Sequence, residues 1–551
     1  MALPEVDAVI VGAGAAGPIV AKQLVAAGWR VVLLERGKWL TPYDDLKDDL
    51  RNMRTTLLGA PGAPENEAGH PRVSVSADGK ETIVLPSDGA YSLNAFCVGG
   101  GTLTYGAMAW RFHPYDFRMR SQYGALEGST LADWPVSYDD LEPWYDQAEK
   151  EIGVSGDLSN NPHQGHRNGP LPMPPVSPQG REFEILDKAA RRMGLHPFHI
   201  PMLRNSVPYN GRPACMRCRW CVGFACEVDA KNGSQNTVLP VALKTGLLEL
   251  RTECQAKEIV VNEQGRATGV RYFDRSGASW EQPARVVISS CGAIESARLL
   301  LNSTSRMFPG GLGNAHDWVG RNLQGHAYSG AYGLFDEVTY DDLGPGATVG
   351  VSDFNHGTPG LRGGAMLCNE FIRLPINFLG GRPPDVPRWG QEFKDWARDT
   401  YRHTITVMGP TQEMPVFESR VQLDPKVRDE FGIPVARLSG PRHDHTVEIA
   451  KVMAGNAQRW LKEAGATKTW LRLSGKGTSG GQHQAGTCRM GDDPRSSVVD
   501  RNLRVHGIDN VFVIDGSVHV TNGGFNPVLT IMALAFRAGT YIAASGLKSR
   551  G

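Results

Sequence analysis

The clearest hydrophobic pattern lies near the start of the chain, where the sequence from Val6 to Gly37 reads VDAVIVGAGAAGPIVAKQLVAAGWRVVLLERG. Two short apolar runs enclose a glycine-rich turn and a segment whose apolar residues recur at helical spacing. The pattern therefore predicts a strand, a tight turn, an amphipathic helix and a second strand. The second strand ends in an acid, Glu35.

Later segments carry further periodic patterns. Apolar residues alternate on both sides of NEQGR (262–266), which predicts a β-hairpin, and the apolar run that begins at Val286 predicts a buried strand. Helices are predicted from Ser137 or Tyr138 onward and over 443–464, and a strand over 400–412. By contrast, two regions rich in turn-forming residues are predicted to be irregular, namely 38–95 and 153–213.

Three glycines at the first strand–helix junction form the pattern G-x-G-x-x-G: Gly12, Gly14 and Gly17. The first permits a tight turn, the second lets a pyrophosphate approach the backbone, and the third lets the helix lie close to the strand. The helix N-terminus favours the bound anion. Glu35, about 20 residues further on, is placed to accept hydrogen bonds from a ribose diol. Because strand, turn, helix, strand and acid occur in this order, the pattern favours a dinucleotide site over a glycine turn with only a structural role.

Composition narrows the function classes. The 551 residues include 58 Lys and Arg and 58 Asp and Glu, so no overall positive field exists to attract nucleic acid. Glu5 and Asp7 stand where an export signal needs basic residues, which predicts a cytoplasmic protein, although export together with a partner subunit stays open. The apolar stretch 527–544 is interrupted by Arg537 and is predicted to be a buried helix, with no direct membrane span.

Segments spread along the chain carry a family resemblance. They are the motif at 12–17 with Glu35, the G-G-G-T loop Gly99–Thr102, VVISSCGAIESARLLLNS (286–303), WVGRNLQGH (318–326), and a C-terminal block from HQAGTCRMG (483–491) to GGFNPVLTIMALAFR (523–537). Over nearly its full length the sequence resembles the glucose-methanol-choline (GMC) family of flavin oxidoreductases. The sequence near Phe112 and the residues GRPAC near Cys215 are most similar to bacterial sugar and sugar-acid dehydrogenase catalytic subunits.

The resemblance implies FAD as cofactor. Some relatives attach the flavin through a histidine in the glycine-rich loop, but this chain has Thr104 and Tyr105 near that place, which implies non-covalent binding. Asp515 and Gly516 resemble residues near the phosphate–ribityl portion. The residues expected to contact FAD are Gly12, Gly14, Ala15, Gly17, Glu35, Arg36, Gly100, Gly101, Thr102, Thr104, Tyr105, Asp515, Gly516, Asn526, Pro527 and Val528.

Two polar residues near the C-terminus are candidates for catalysis. Oxidation of an alcohol by hydride transfer removes a hydroxyl proton and a carbinol hydride, and neutral imidazole is well suited to accept the proton near neutral pH. The resemblance implies that His483 and Asn526 are the His/Asn pair facing flavin N5. Taken alone, each has a plainer interpretation: a histidine satisfied by hydrogen bonds in the core, and an asparagine that caps the helix whose first position is predicted at Pro527.

Four of the nine cysteines are clustered as C-x2-C-x2-C-x4-C: Cys215, Cys218, Cys221 and Cys226. Clustered thiolates suit an iron–sulfur cluster or zinc, and the spacing begins like a ferredoxin motif but departs from it at the last ligand. Some sugar-dehydrogenase relatives bind an iron–sulfur cluster with cysteines in this region. The alternatives are an iron–sulfur cluster, a disulfide or plain thiols, and zinc.

The predicted fold class is α/β, α+β overall. A Rossmann-like FAD-binding domain is expected from 1–120, 215–325 and 485–551, and a substrate-binding domain on an antiparallel sheet from 121–214 and 326–484. The expected function is oxidation of a hydroxyl of a sugar, glycoside or sugar acid by a dehydrogenase, with an electron-accepting subunit or cytochrome as a partner. The alternatives are an O2-using oxidase that produces hydrogen peroxide and a flavin-binding protein without turnover.

Overall fold

The computed structural model describes residues 3–44, 67–92, 94–177, 180–341, 343–344, 346–370 and 374–548. Within these residues the chain forms three β-sheets with helices packed against them, which confirms the mixed α/β class. Part of the segment predicted to be irregular, 45–66, lies outside the described residues. The domain boundaries stay a prediction.

The helices that the sequence predicted are present, and the structure contains others that no sequence pattern predicted. The described α-helices are α1 (Gly17–Ala26), α2 (Met119–Tyr123), α3 (Tyr138–Ala148), α4 (Arg181–Arg192), α5 (Val238–Lys244), α6 (Ala293–Asn302), α7 (Pro375–Leu379), α8 (Gln391–Thr400), α9 (Asp444–Glu463) and α10 (Val528–Ala544). The prediction of irregular structure over 153–213 is wrong at α4, where only a narrow stripe that includes Leu186 and Ala189 is buried among charged residues. Pro527 immediately precedes α10, so its predicted helical position is one residue too early.

The first sheet contains the predicted strand–helix–strand unit. β1 (Val6–Val11) pairs in parallel with β2 (Val31–Leu34) and β10 (Ser279–Ser289), and all but its first residue are buried, as in parallel sheets covered on both faces. The remaining strands of this sheet are β7 (Leu248–Arg251), β8 (Gln255–Val261), β9 (Ala267–Phe273) and β18 (Val511–Val513). The predicted hairpin around 262–266 is therefore the β8–β9 pair.

The strands of the second sheet are β5 (Ser155–Asp157), β6 (Phe198–Met202), β11 (His326–Leu334), β12 (Val349–Val351), β13 (Leu367–Asn369), β14 (Thr404–Gln412) and β17 (Lys468–Arg472). The sheet is antiparallel throughout, with the order β17-β11-β14-β13-β12-β6-β5. The long helix α9 packs on β11 and β14 and buries Trp460. This sheet carries the first residue of the candidate site, His326, at the start of β11.

A third sheet joins distant parts of the chain. It consists of β3 (Arg72–Val75), β4 (Glu81–Val84), β15 (Arg420–Arg428) and β16 (Pro434–Ser439). The prediction of irregular structure is wrong at β3 and β4, because β3 obtains its pairing from β16, which lies far along the chain. Among the described residues, no helix combines the length and apolar character that crossing a bilayer demands, α10 included.

Candidate active site

A cleft of about 320 Å³ opens at the carboxyl ends of β1 and β10, where it is lined by Val11 and Ser290, and extends to Tyr328 on β11. Open α/β sheets bind ligands at this edge. Every residue predicted to contact FAD lines the cleft except Gly17, and His483 lines it as well. The structure thus brings the predicted residues together, while their individual roles stay predictions.

The three glycines of the first motif differ in what a side chain would meet. Gly12 has φ +100°, and a Cβ there would overlap the carbonyl oxygen of Ser290. A Cβ on Gly17 would overlap the carbonyl oxygen of Gly12. A Cβ on Gly14 would meet no protein atom within 4 Å. Packing therefore explains Gly12 and Gly17, whereas Gly14 faces the space that a ligand would occupy.

Glu35 is held at the end of β2 by the glycine turn. Its Oε2 accepts the Ala13 N–H at 2.9 Å and its Oε1 accepts the Gly37 N–H at 2.9 Å. Burial raises the pKa of Glu35 above its ordinary value, while those N–H groups and Arg36 oppose the shift. The carboxylate is thus fixed in place at the wall of the cleft.

Sequence reasoning missed an ionic group beside Glu35. Glu295 on α6 accepts from Arg72 at 2.7 Å and pairs with Arg298 at 3.2 Å and Arg36 at 3.7 Å. Burial alone would raise the pKa of Glu295, but the three guanidinium groups outweigh burial and lower it. Arg72 reaches this group from β3, so the third sheet braces the wall of the cleft.

Asp515, predicted to lie near the phosphate–ribityl portion, ties three segments together. Its Oδ2 accepts the Gly292 N–H at 3.0 Å and the Ser296 hydroxyl at 2.6 Å, and its Oδ1 accepts the Ser517 N–H at 2.8 Å. Burial raises the pKa of Asp515, and these hydrogen bonds oppose the shift.

In the described part of the chain, five residues that line the cleft each have a buried polar atom without a hydrogen-bond partner: Asn94 Oδ1, Thr104 Oγ1, Gln255 Oε1, Gln482 Oε1 and Asn526 Oδ1. Buried polar atoms rarely remain unsatisfied, so these atoms indicate a polar ligand. Together with the open space at Gly14, they fit a large polar cofactor such as FAD.

The candidate catalytic residues belong to a hydrogen-bonded set. His326 Nδ1 lies 2.8 Å from His483 Nδ1, and His326 Nε2 lies 2.9 Å from the Gly523 carbonyl oxygen and 3.2 Å from that of Asn522. Asn526 Nδ2 donates to the Tyr328 hydroxyl at 3.1 Å and lies 3.5 Å from His483 Nε2. Sequence reasoning quoted the segment that ends at His326 but assigned no role to His326 or to Tyr328.

These contacts define which nitrogens carry protons. Because Nε2 of His326 faces two carbonyl oxygens, it must donate, and burial lowers the pKa of His326, so that the ring is neutral and its Nδ1 is an acceptor. His483 must then donate from its own Nδ1. The Nε2 of His483, beside Asn526, is left with a lone pair.

The cysteine segment (215–226) lies directly behind the glycine-rich loop of the cleft. The Gly223 N–H donates to the Thr104 carbonyl at 2.7 Å. Lys231 Nζ donates to the carbonyl oxygens of Tyr105 at 3.3 Å and Cys221 at 2.9 Å. All nine cysteines lie in the described part of the chain and none of them forms a disulfide, so no disulfide braces this segment.

One buried cation faces the four cysteines. Arg204 is 1% exposed, and none of its three guanidinium nitrogens has a hydrogen-bond partner. Burial alone would lower the pKa of Arg204, but the field of Cys221, Cys215, Cys226 and Cys218 outweighs burial and raises it. An unpaired buried cation costs several kcal/mol, so this arrangement indicates a negatively charged group among the cysteines.

The sulfur atoms of these cysteines are not gathered as closely as the ligands of a zinc ion, and the zinc alternative stays a prediction. Tetrahedral zinc with Zn–S bonds near 2.3 Å places its sulfur ligands roughly 3.8 Å apart. The described residues contain one group of three ligand atoms that all lie within 4.8 Å of one another, and it is elsewhere.

Comparison with known proteins agrees with the fold and the cleft. The N-terminal and C-terminal sequence patterns of GMC oxidoreductases match residues 6–328 and 415–535. The gluconate 2-dehydrogenase flavoprotein of Pantoea cypripedii is 30% identical, with 100% of this chain and 95% of the relative covered. The 6'''-hydroxyparomomycin C oxidase of Streptomyces lividus is 31% identical, with 98% and 91% covered. The crystal structure of pyridoxine 4-oxidase from Mesorbium loti has a TM-score of 0.63 at 18% identity, with 97% and 98% covered.

The fold and the matched sequence patterns define a flavin-dependent oxidoreductase that acts on CH–OH groups. The chain belongs to the GMC oxidoreductase family, which confirms the resemblance drawn from its motifs. Its relatives include both a dehydrogenase and an oxidase, so membership alone does not assign the electron acceptor.

Proposed function

We propose that the protein is a dehydrogenase that oxidises a hydroxyl of a sugar, glycoside or sugar acid to a carbonyl, with His483 as the base. The observation that carries the proposal is the set formed by His326, His483 and Asn526 at the cleft. It supports a base whose unprotonated nitrogen is oriented before the substrate arrives.

The same contacts assign a role to each residue. His483 Nε2 accepts the hydroxyl proton, while Asn526 Nδ2 and the Tyr328 hydroxyl are placed to hold the substrate oxygen. His326 holds the proton of His483 on Nδ1 and so keeps Nε2 unprotonated. FAD, when bound without a covalent bond, supplies the acceptor for the carbinol hydride as the C–O bond becomes C=O.

The Tyr328 hydroxyl accepts a hydrogen bond from Asn526, so the two side chains hold each other at the wall of the cleft. A substrate oxygen that gains negative charge as its proton leaves is stabilised by the Asn526 amide, because this donor is already oriented before the reaction.

Substrate-dependent flavin reduction tests this function. The purified protein is mixed with a panel of sugars, sugar acids, glycosides and simple alcohols without oxygen, and flavin absorbance is followed. We expect a polyhydroxylated compound to bleach the flavin far faster than a simple alcohol. If no compound of the panel bleaches the flavin, the alternative of a flavin-binding protein without turnover replaces the proposal.

We propose in addition that Cys215, Cys218, Cys221 and Cys226 hold an iron–sulfur cluster. The unpaired guanidinium of Arg204 supports the proposal, since a cluster with thiolate ligands supplies the missing negative charge. The segment lies against the flavin loop, because Gly223 donates to the Thr104 carbonyl and Lys231 bridges the carbonyl oxygens of Tyr105 and Cys221. Such a cluster would supply single-electron chemistry, which suits a dehydrogenase that passes electrons to a cytochrome or another subunit.

Iron and inorganic sulfide analysis of anaerobically purified protein tests the cluster. We expect both in stoichiometric amount and an absorption beyond that of flavin. In Cys221→Ser both should fall while FAD stays bound, whereas Cys368→Ser, a buried cysteine in β13, should retain them. Iron-free wild-type protein would refute the cluster without affecting the assignment of His483.

The oxidase remains the second candidate, because a relative of equal similarity is named as an oxidase. It predicts stoichiometric hydrogen peroxide from O2, whereas the dehydrogenase predicts faster turnover with one-electron dyes than with O2. The expected cytoplasmic location is likewise a proposal, which fractionation of the source cells would test.

A further inference from the structure

Three side chains outside the cleft direct their ligand atoms at one another: His163, His196 and Asp353. The three ligand atoms all lie within 4.8 Å of one another. His196 Nδ1 lies 2.7 Å and His163 Nε2 3.4 Å from the same oxygen, Asp353 Oδ1. We propose that these residues bind one divalent transition-metal ion, with Zn²⁺ the best match.

The topology of the second sheet brings the three residues together. β6 lies between β5 and β12 and is antiparallel to both, so the ends of β5 and β12 lie beside the start of β6. His163 follows β5, His196 precedes β6 by two residues, and Asp353 follows β12 by two residues. The ligands therefore project from one edge of a rigid sheet, which limits the rearrangement that metal binding would require.

Polar groups around the three residues hold two of them in place. The Asn161 Oδ1 atom accepts hydrogen bonds from the backbone N–H of His163 at 3.0 Å and from the Ser352 hydroxyl at 2.8 Å. These bonds link the loop that carries His163 to the loop that carries Asp353. The backbone N–H of His196 donates to Asp353 Oδ2 at 3.3 Å, and Asp353 Oδ1 is directed at the two imidazoles. Metal sites commonly orient their ligands in this way.

The donor set selects the kind of metal. Two imidazole nitrogens and one carboxylate oxygen suit Zn²⁺ and its first-row neighbours, and a hard ion such as Mg²⁺ prefers oxygen ligands. The side chains of His163 and His196 are 40% and 45% exposed, so that an ion and a water ligand have access. None of the three residues lines the cleft, so the site is separate from the proposed chemistry.

Two ordinary histidine–carboxylate ion pairs are the alternative explanation for the proximity of His163, His196 and Asp353. One imidazole is enough to pair with a carboxylate, but here two rings, tilted by 79° to each other, converge on the same oxygen atom. Two imidazole nitrogens and the carboxylate oxygen that both of them face supply three neighbouring ligand atoms for a tetrahedral ion, with a water molecule as its fourth ligand.

Cobalt titration of the chelator-treated flavoprotein tests the site. Co²⁺ replaces Zn²⁺ as a spectroscopic probe, because cobalt bound to thiolate gives an intense near-ultraviolet charge-transfer band that nitrogen and oxygen ligands do not give. The cysteine segment is thereby distinguished from the proposed site. Test variants are His196→Ala and Asp353→Asn, and His166→Ala, an exposed histidine in the same loop as His163, is the matched control.

We expect one equivalent of Co²⁺ without the thiolate band, displaced by Zn²⁺, with a dissociation constant raised at least about tenfold in both test variants and unchanged in His166→Ala. Zn²⁺ should raise the melting temperature of the wild type but not that of the test variants. Retained flavin and an unchanged metal-free melting temperature show that each variant is folded. Absence of such binding, or binding that survives in both test variants, would overturn the proposal.

Discussion

Two substitutions of His326 test the hydrogen bond at its Nδ1 separately from the hydrogen bonds at its Nε2. In His326→Gln the side-chain amide reaches the position of Nε2 and can still donate to the carbonyl oxygens of Asn522 and Gly523, but no acceptor remains for the His483 Nδ1–H. In His326→Asn the side-chain oxygen occupies the position of Nδ1 and accepts from His483, while the contacts of Nε2 are lost. If His326 orients the base, His326→Asn should reduce its flavin faster than His326→Gln.

The size of the effect follows from the 2.8 Å contact between the two imidazoles. A buried donor left without its acceptor costs about 1–3 kcal/mol, and His483 can recover that energy by moving its proton to Nε2, where it is no longer a base. The expected loss in flavin reduction for His326→Gln is therefore about 5- to 150-fold. His326→Asn should keep most of the rate and lose stability instead, because two buried carbonyl oxygens lose their donor.

The assay is anaerobic rapid mixing with the sugar or sugar acid that bleaches the wild-type flavin fastest. Urea denaturation measures stability in parallel, and flavin absorbance after gel filtration checks that FAD stays bound. A merely structural His326 predicts that the more stable variant is also the faster one. Rates that follow stability in this way, with His326→Gln equal to or faster than His326→Asn, would refute the assignment.

The remaining predictions concern the cofactor, the buried histidine and the buried arginine. Gly14→Ala should fold but bind FAD about tenfold more weakly in a flavin titration, since overpacking costs roughly 1–3 kcal/mol, whereas Gly17→Ala should lower the melting temperature even without FAD. Burial lowers the pKa of His519 to about 4, so below pH 6.5 the unfolded chain binds more protons than the folded protein. The free energy of unfolding should therefore fall by roughly 2 kcal/mol from pH 7 to pH 5. Urea titrations of His519→Gln should lack this loss. Arg204→Met should weaken iron retention; a variant more stable than the wild type, with iron content unchanged, would contradict the charge argument.

Local chemistry explains which parts of the fold are predictable from sequence. The first strand, turn and helix are set by Gly12 and Gly17, whose restrictions act within a few residues. β3 and α4 were missed because their stability comes from distant partners: β16 supplies the pairing of β3, and the sheet and α9 cover the narrow apolar stripe of α4. No local periodicity reports such contacts.

The candidate site shows the same division. His483 and Asn526 lie in motifs that carry the family resemblance, and in the structure His483 Nε2 lies 3.5 Å from Asn526 Nδ2. The contribution of His326 depends on a contact with a residue 157 positions later in the chain, and that of Arg204 on a burial that its neighbours in sequence do not indicate. These residues become visible only when hydrogen bonds and unpaired atoms are counted in three dimensions.

The most direct test of the central claim is the rate of flavin reduction in His483→Ala. The protein is mixed anaerobically with its fastest substrate, with His316→Ala, a histidine outside the cleft, as control. The account predicts a fall of about 10²- to 10⁴-fold with FAD still bound, because the proton acceptor is gone while the cofactor contacts remain. Reduction of the His483→Ala flavin at the wild-type rate would contradict the assignment of His483 as the base.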